Sequence, residues 1–224
     1  MSSSIYKLLA FFCLLVLALP VSAKDDKKKE NANVPFYQGI TVGVEFGGPI
    51  RKLLSDNWST SAKMDINFKN KYLPTFEFGQ ASYDKTGETG VHYTTTGLFL
   101  KAGLNLPVVI HGAKAEDLFY VGLHYGFSSF SYNLGNLTYQ DGYWNQPVTS
   151  SLTGEKSVAG WADAVAGVRI KVLGPFSLGW SIHYKTTLHV SDGANSVPQY
   201  IPGYGQNVKP FSSINAHLYY RLPF

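Results

Sequence analysis

The sequence predicts an all-β fold, an eight-stranded antiparallel up-and-down transmembrane β-barrel, and three observations carry that reading. Most of the 224-residue chain falls into segments where apolar and polar side chains alternate, the period of a strand with two unlike faces. The charged and histidine side chains of these segments collect on one set of faces, and the opposite set carries almost no charge. Beyond residue 23 no apolar run is long enough for a membrane-crossing helix, and a mean hydropathy of -0.06 is what an alternating membrane strand averages to.

The elements follow in order. Residues 1–23 have the form of a signal peptide: Lys7, an apolar stretch Leu8–Leu19, then Pro20-Val21-Ser22-Ala23, with cleavage expected near Ala23. The single cysteine, Cys13, lies inside that stretch behind Phe11-Phe12, which departs from a lipidation motif, so the processed chain has no disulfide. Residues 24–35 are polar and charged and read as a disordered periplasmic lead-in, and residues 36–224 form the barrel. The first strand sets Ile40, Val42, Val44 and Phe46 against Thr41, Gly43 and Glu45, and the second sets Met64, Ile66 and Phe68 against Lys63, Asp65 and Asn67. The third pairs Phe76 and Phe78 with Thr75 and Glu77, then blurs after Gly79, where a bulge is expected.

Strand four carries Leu98, Leu100, Ala102 and Leu104 opposite Lys101, and strand five carries Phe119 to Phe127 opposite His124. Strand six alternates Ala162 to Ile170 with Trp161, Asp163 and Arg169; strand seven sets Trp180 and Ile182 against Ser181, His183 and Lys185. The eighth runs from Ile214 to Phe224, with Asn215, His217, Tyr219 and Arg221 between its apolar residues. Short turns are expected near Asn70-Lys71 and Gly174-Pro175, a longer link at 105–117, and outer loops near 47–61, 84–93, 130–158 and 190–210. An even strand number leaves both termini on the periplasmic side.

The charged faces decide which side of the sheet points inward. Glu45, Lys63, Asp65, Glu77, Lys101, His124, Asp163, Arg169, His183, Lys185, His217 and Arg221 form a polar lumen network in which opposite charges can pair. In the inverted arrangement each Lys or Arg at the bilayer midplane would cost roughly 2–4 kcal/mol.

The closing strand, ending on the aromatic Phe224, resembles that of bacterial outer-membrane barrels, which implies recognition by the barrel-assembly machinery and residence in outer-membrane lipid. The stretches Tyr125-Gly126-Phe127-Ser128-Ser129-Phe130, Gly179-Trp180-Ser181-Ile182-His183-Tyr184-Lys185, Tyr200-Ile201-Pro202-Gly203-Tyr204-Gly205 and Tyr219-Tyr220-Arg221-Leu222-Pro223-Phe224 resemble an uncharacterised Bacteroidetes outer-membrane family, a domain of unknown function. Its architecture is similar to the small OmpX/OmpA-type barrels. The resemblance implies fold and location and carries no activity.

Several chemistries can be weighed from the residues. Eight strands enclose only enough space for side chains, which argues against a diffusion pore. A lipid A-modifying enzyme is the rival reading: His183, His217 and His124 share a face with Asp163 and Glu45, and Ser181 stands nearby as a hydroxyl. Such an enzyme needs these groups bonded together and open to lipid near the outer rim; a buried, satisfied network is structural instead. No His/Asp/Glu cluster has metal-ligand spacing, no cofactor motif occurs, and the net charge of +4 is not gathered into a nucleic-acid surface. The preferred role is structural or recognition-based, through contacts of loops 130–158 and 190–210 with an extracellular protein or glycan. Tyr132, Tyr139, Tyr143, Trp144, Tyr200 and Tyr204 are the candidate contacts, aromatics set among small polar residues.

Overall fold

The structure, a computed structural model, describes residues 36–48, 57–108, 117–140 and 146–223. The signal peptide, the charged lead-in, Tyr143, Trp144, Phe224 and the side chain of Tyr139 lie outside the described residues. The described residues form ten strands: β1 (Tyr37–Glu45), β2 (Trp58–Phe68), β3 (Leu73–Thr86), β4 (His92–Val108), β5 (Leu118–Gln140), β6 (Pro147–Leu173), β7 (Phe176–Val190), β8 (Tyr200–Ile201), β9 (Gly205–Gln206) and β10 (Phe211–Arg221). Eight of them close a barrel in the order β1-β10-β7-β6-β5-β4-β3-β2, while β8 and β9 pair only with each other. Neighbours run antiparallel, and the ring closes through Val42↔Tyr220 and Val44↔Leu218. Antiparallel closure leaves no free edge around the ring wherever the strands overlap.

Both ends of the described barrel chain, Tyr37 and Arg221, meet at one end of the cylinder, here the near end. The turn after β2 is built by Lys69 and Asn70, whose φ values of 52° and 53° suit a tight hairpin, and Asn67 Oδ1 accepts the Asn70 N–H at 3.0 Å. Gly174, at φ 54°, makes the turn between β6 and β7. The loop expected at 84–93 is present but shorter, with β3 and β4 joined by Gly87–Val91. Within 130–158 the strands run on, as β5 to Gln140 and as β6 from Pro147. β5 alone has 23 residues, roughly 75 Å at about 3.3 Å per residue, whereas a crossing needs only about 9–11.

The outward face is an apolar belt. Val44, Phe78, Leu100, Leu123, Ile182 and Ile214 are each half exposed or more, Leu123 at 65% and Ile214 at 69%. An apolar area of that extent on a monomer's exterior is stable only against another apolar medium. Aromatic pairs border it at the near end, Phe176 on Tyr220 at 5.2 Å and Phe36 on Phe68 at 5.1 Å.

The inward face has two tiers. The near and middle parts hold the charged network. The far part is an aromatic core of Ala81, Tyr93, Phe99, Phe130, Tyr132, Trp161, Ile201 and Tyr204. Two of these, Ile201 and Tyr204, belong to the β8–β9 hairpin, so the chain between β7 and β10 folds back as a plug over the far end.

This second tier explains why no bulge forms at Gly79. The register runs unbroken through Ser61↔Gly79 and Gly79↔Phe99. Ala81 and Tyr83 therefore keep the inward phase of Glu77 and are apolar because they meet the aromatic core. Gly79 itself makes room for Phe99, whose ring a Cβ there would overlap.

Candidate functional site

The site that the strands assemble is the lumen. Period-two alternation on β2, β3, β4, β6, β7 and β10 aims one polar side chain inward at every second residue, and tilt brings them into contact across the axis. Among the described residues the buried acids are Glu45, Asp65, Glu77, Asp163 and, farther along β6, Glu155, and the buried bases are Lys63, Lys101, Arg169 and Lys185. Acids and bases are interleaved across the lumen, so opposite charges compensate one another without water.

Three bonded groups can be followed from the near end upward. Arg169 donates to Asp65 and lies over the Tyr219 ring with its Cζ 3.9 Å from the centroid. Asp65 also accepts the Thr75 hydroxyl at 2.7 Å; Thr75 accepts Asn105 Nδ2 at 2.8 Å; and Asn105 Oδ1 meets His124 Nε2 at 2.9 Å. The line His124–Asn105–Thr75–Asp65 thus donates in one direction and ends on a carboxylate. Lys63 stands 5.2 Å from the centre of the Tyr120 ring. In the middle, Lys101 Nζ donates to Glu77 at 3.0 Å, both side chains only 2% exposed.

The third group has the connectivity of a nucleophile, a base and an orienting acid. His183 Nδ1 lies 2.9 Å from Asp163 Oδ2, and its Nε2 lies 3.0 Å from Ser181 Oγ. With Nδ1–H donated to the carboxylate, Nε2 is left to accept the serine proton. Access is what it lacks. Ser181, His183 and Asp163 are 2%, 1% and 0% exposed, and none of them lines the cavity at the far end. His217 is also buried, its ring tilted against Tyr219 at 5.6 Å, with no hydrogen-bond partner at either ring nitrogen among the described residues.

Two expected network members sit differently. Arg221 is exposed at the near end, where it donates to the Gln38 carbonyl at 3.0 Å, because β10 outruns the closed lumen there. Glu45, at the end of β1, lines the far-end cavity with Lys101 and Lys185. Lys185 Nζ donates at 3.0 Å to the carbonyls of Gly203 and Tyr204, and so ties the plug to the wall. Among the described residues no group of three His, Cys, Asp or Glu is placed to hold a metal ion.

Of the aromatic residues expected on recognition loops, the three whose side chains are described, Tyr132, Tyr200 and Tyr204, are internal. Tyr132 is 1% exposed and donates to the Ser196 carbonyl at 2.6 Å; Tyr204 is also 1% exposed and donates to the Val208 carbonyl at 2.6 Å. Burial pushes the Tyr204 phenol above its ordinary pKa. Tyr200 is half-buried and stacks on Tyr83 at 4.5 Å. These rings pack the plug, so segment 190–210 turns inward rather than toward a partner. What sequence reasoning missed is the plug itself. Its signal was the inward phase of Phe99, Phe130 and Trp161, bulky apolar residues that a purely polar lumen would not hold.

Segment 130–158 stands free instead. β4 accompanies β5 as far as His92↔Gly135, and β7 accompanies β6 as far as Ala159↔Val190. Beyond that, Ser191 caps Val158, and Asn195 donates to Glu155 from its backbone N–H at 3.3 Å and its Nδ2 at 3.1 Å. From Pro147 to Gly154 the outer edge of β6 has no strand partner among the described residues, and all but Leu152 are exposed.

Comparison with known proteins gives three results. A solved structure of Ail, the attachment invasion locus protein of Yersinia pestis, in complex with the heparin analogue sucrose octasulfate, is similar to this chain at 11% identity. The likeness covers 81% of this chain and 95% of that one, with a TM-score of 0.39. The sequence matches no curated protein. Residues 4–224 match the model of a domain of unknown function, DUF6048, and the chain belongs to that family.

Proposed function

We propose that this protein is an outer-membrane barrel with a sealed lumen whose working element is the β5–β6 hairpin, a recognition strand for an extracellular protein. One observation carries the reading: the unpaired edge Pro147-Val148-Thr149-Ser150-Ser151-Leu152-Thr153-Gly154 is uncharged and raised well clear of the apolar belt. Exposed strand edges are usually blunted by lysine, because bare N–H and C=O groups pair with any strand that reaches them. Here no charge guards the edge over eight residues. Pairing by an incoming strand satisfies the main chain and leaves alternate side chains for selection.

The belt and the buried ion pairs support the membrane location, with insertion through the C-terminal strand by the barrel-assembly machinery and both termini in the periplasm. The lipid A-modifying alternative is not favoured, since Ser181 faces a closed interior and not the lipid. The test is binding of the protein, displayed on cells, to an array of extracellular proteins. The reading expects binding that is lost in Thr149→Lys/Ser151→Lys, with unchanged heat-modifiable mobility of the barrel on gels. Binding that survives both lysines, or none at all, overturns it.

A further inference from the structure

The near end of the barrel carries a stretch of rim on which every described charge is positive. It runs from the β2–β3 turn, across the first residues of β1, to the last residues of β10, and backbone bonds join the three. The Lys69 N–H donates to the Phe36 carbonyl at 3.0 Å, and the Leu222 N–H donates to the Ile40 carbonyl at 3.0 Å. Lys69, Lys71 and Arg221 are exposed there, and segments 36–41, 67–72 and 219–223 contain no Asp or Glu. Among the described residues no carboxylate lies within ion-pair distance of any of the three. Residues 24–35, which precede Phe36 in the chain, hold four lysines against three acids and do not reverse the sign. The far end differs, with exposed Asp84, Glu88 and Asp192 as well as exposed Lys85, Lys156 and Lys209.

These cations sit at the border of the apolar belt. Phe36 and Tyr72, 66% and 52% exposed, flank the turn. Phe36 packs on Phe68 at 5.1 Å, and Lys69 Nζ lies 5.7 Å from the centre of the Phe36 ring. Exposed aromatic rings at the edge of such a belt mark the level where hydrocarbon gives way to lipid heads. Held over that ring, the Lys69 ammonium faces the same layer. Arg221 spends one N–H on the Gln38 carbonyl, and the rest of its five-donor fork is left for an outside acceptor.

The charge of the rim decides which head fits. A phosphate accepts from lysine and arginine alike. A zwitterionic head brings an ammonium of its own, which like charges repel and which needs an acid beside it; the rim offers none.

We propose that this rim binds an anionic glycerophospholipid of the adjoining leaflet. The phosphate accepts from Lys69, Lys71 and Arg221, and the acyl chains lie against Phe36 and Tyr72. The inference rests on the barrel lying in a membrane and not on the hairpin.

The experiment titrates the processed full chain in detergent micelles with phosphatidylglycerol or phosphatidylcholine of identical chains, and native mass spectrometry counts the lipids retained. The first phosphatidylglycerol should bind at least about tenfold more tightly than phosphatidylcholine, since each cation near a lipid surface is worth about fivefold. Lys69→Gln/Lys71→Gln/Arg221→Gln should abolish the preference. Lys69→Gln/Lys71→Gln, confined to an exposed turn, should remove most of it even if the triple variant fails to fold. Lys85→Gln/Lys156→Gln/Lys209→Gln lowers the net charge equally at the far end and should leave the preference intact. Equal affinity for the two phospholipids overturns the proposal. So does a preference that the far-end variant loses as fully as the near-end one, or a rim that takes lipid A but not phosphatidylglycerol. A chain whose belt is open to water in a bilayer overturns this inference and the membrane location together, whereas an inserted barrel without the preference overturns this inference alone.

Discussion

Replacing Lys101 by methionine should destabilise the barrel by about 3–5 kcal/mol, the cost of leaving one member of a buried ion pair alone. The ammonium sits 3.0 Å from Glu77 Oε1, and neither side chain is more than 2% exposed, so no solvent takes its place. Losing this base leaves Glu77 buried without its ion-pair partner. Methionine is of similar length, and the Phe99 ring, 5.2 Å from the lysine nitrogen, accepts it without a cavity. The loss then reports charge and not volume. Adding Glu77→Leu removes the stranded carboxylate and should restore stability to within about 1 kcal/mol of the native chain, since apolar replacement of a whole buried pair is often neutral. Reversible urea unfolding in phosphatidylcholine vesicles, followed by tryptophan fluorescence, measures all three proteins. A single variant that loses less than about 1 kcal/mol, or a double variant less stable than the single, refutes the claim that pairing holds this lumen together.

Two further outcomes are expected. Tyr204→Ala removes the ring that meets Trp161 at 5.9 Å and Phe211 at 5.8 Å, and aromatic truncation in a core costs about 3–5 kcal/mol; limited proteolysis should then cut within 196–208 while the strands stay intact, and an uncut plug contradicts the packing described. Ser181→Ala loses one bond to His183 and about 1 kcal/mol, and mass spectra of lipid A from cells with the native or the altered gene should be identical; a lipid product lost with the serine would make the buried trio catalytic after all.

The cylinder was legible in the sequence because its physics is local. Alternation places Glu77 and Lys101 on the same face of neighbouring strands, and their register partnership follows from pairing the hairpins in order. The same rule puts Asp163, His183 and Ser181 on one face, where Asp163, opposite Lys185, reaches His183 on the diagonal. What alternation cannot reveal is what fills the space the strands enclose. Reading every inward residue as polar made Ala81 and Tyr83 look out of phase, when they only change tier, from ions to the aromatic core beneath the plug. The plug was hidden for a related reason. Ile201 and Tyr204 sit in a segment rich in Gly, Pro and polar residues, whose composition speaks of an exposed loop; only long-range contact with Trp161 and Lys185 turns it inward. The far part of β6 gives no such signal, because from Pro147 to Gly154 every residue but Leu152 is exposed, which removes the alternation that marks a half-buried strand.

The central claim is that hydrocarbon surrounds the outward face and that the inward face is closed to water. Spin labels placed in turn along β4 from Leu98 to Leu106, in a lipid bilayer, test it most directly by paramagnetic-relaxation accessibility. The account predicts high oxygen and low nickel-chelate accessibility at Leu98, Leu100, Leu104 and Leu106, and low accessibility to both at Phe99 and Lys101. Nickel chelate reaching Leu100 as readily as an exposed loop residue would contradict it.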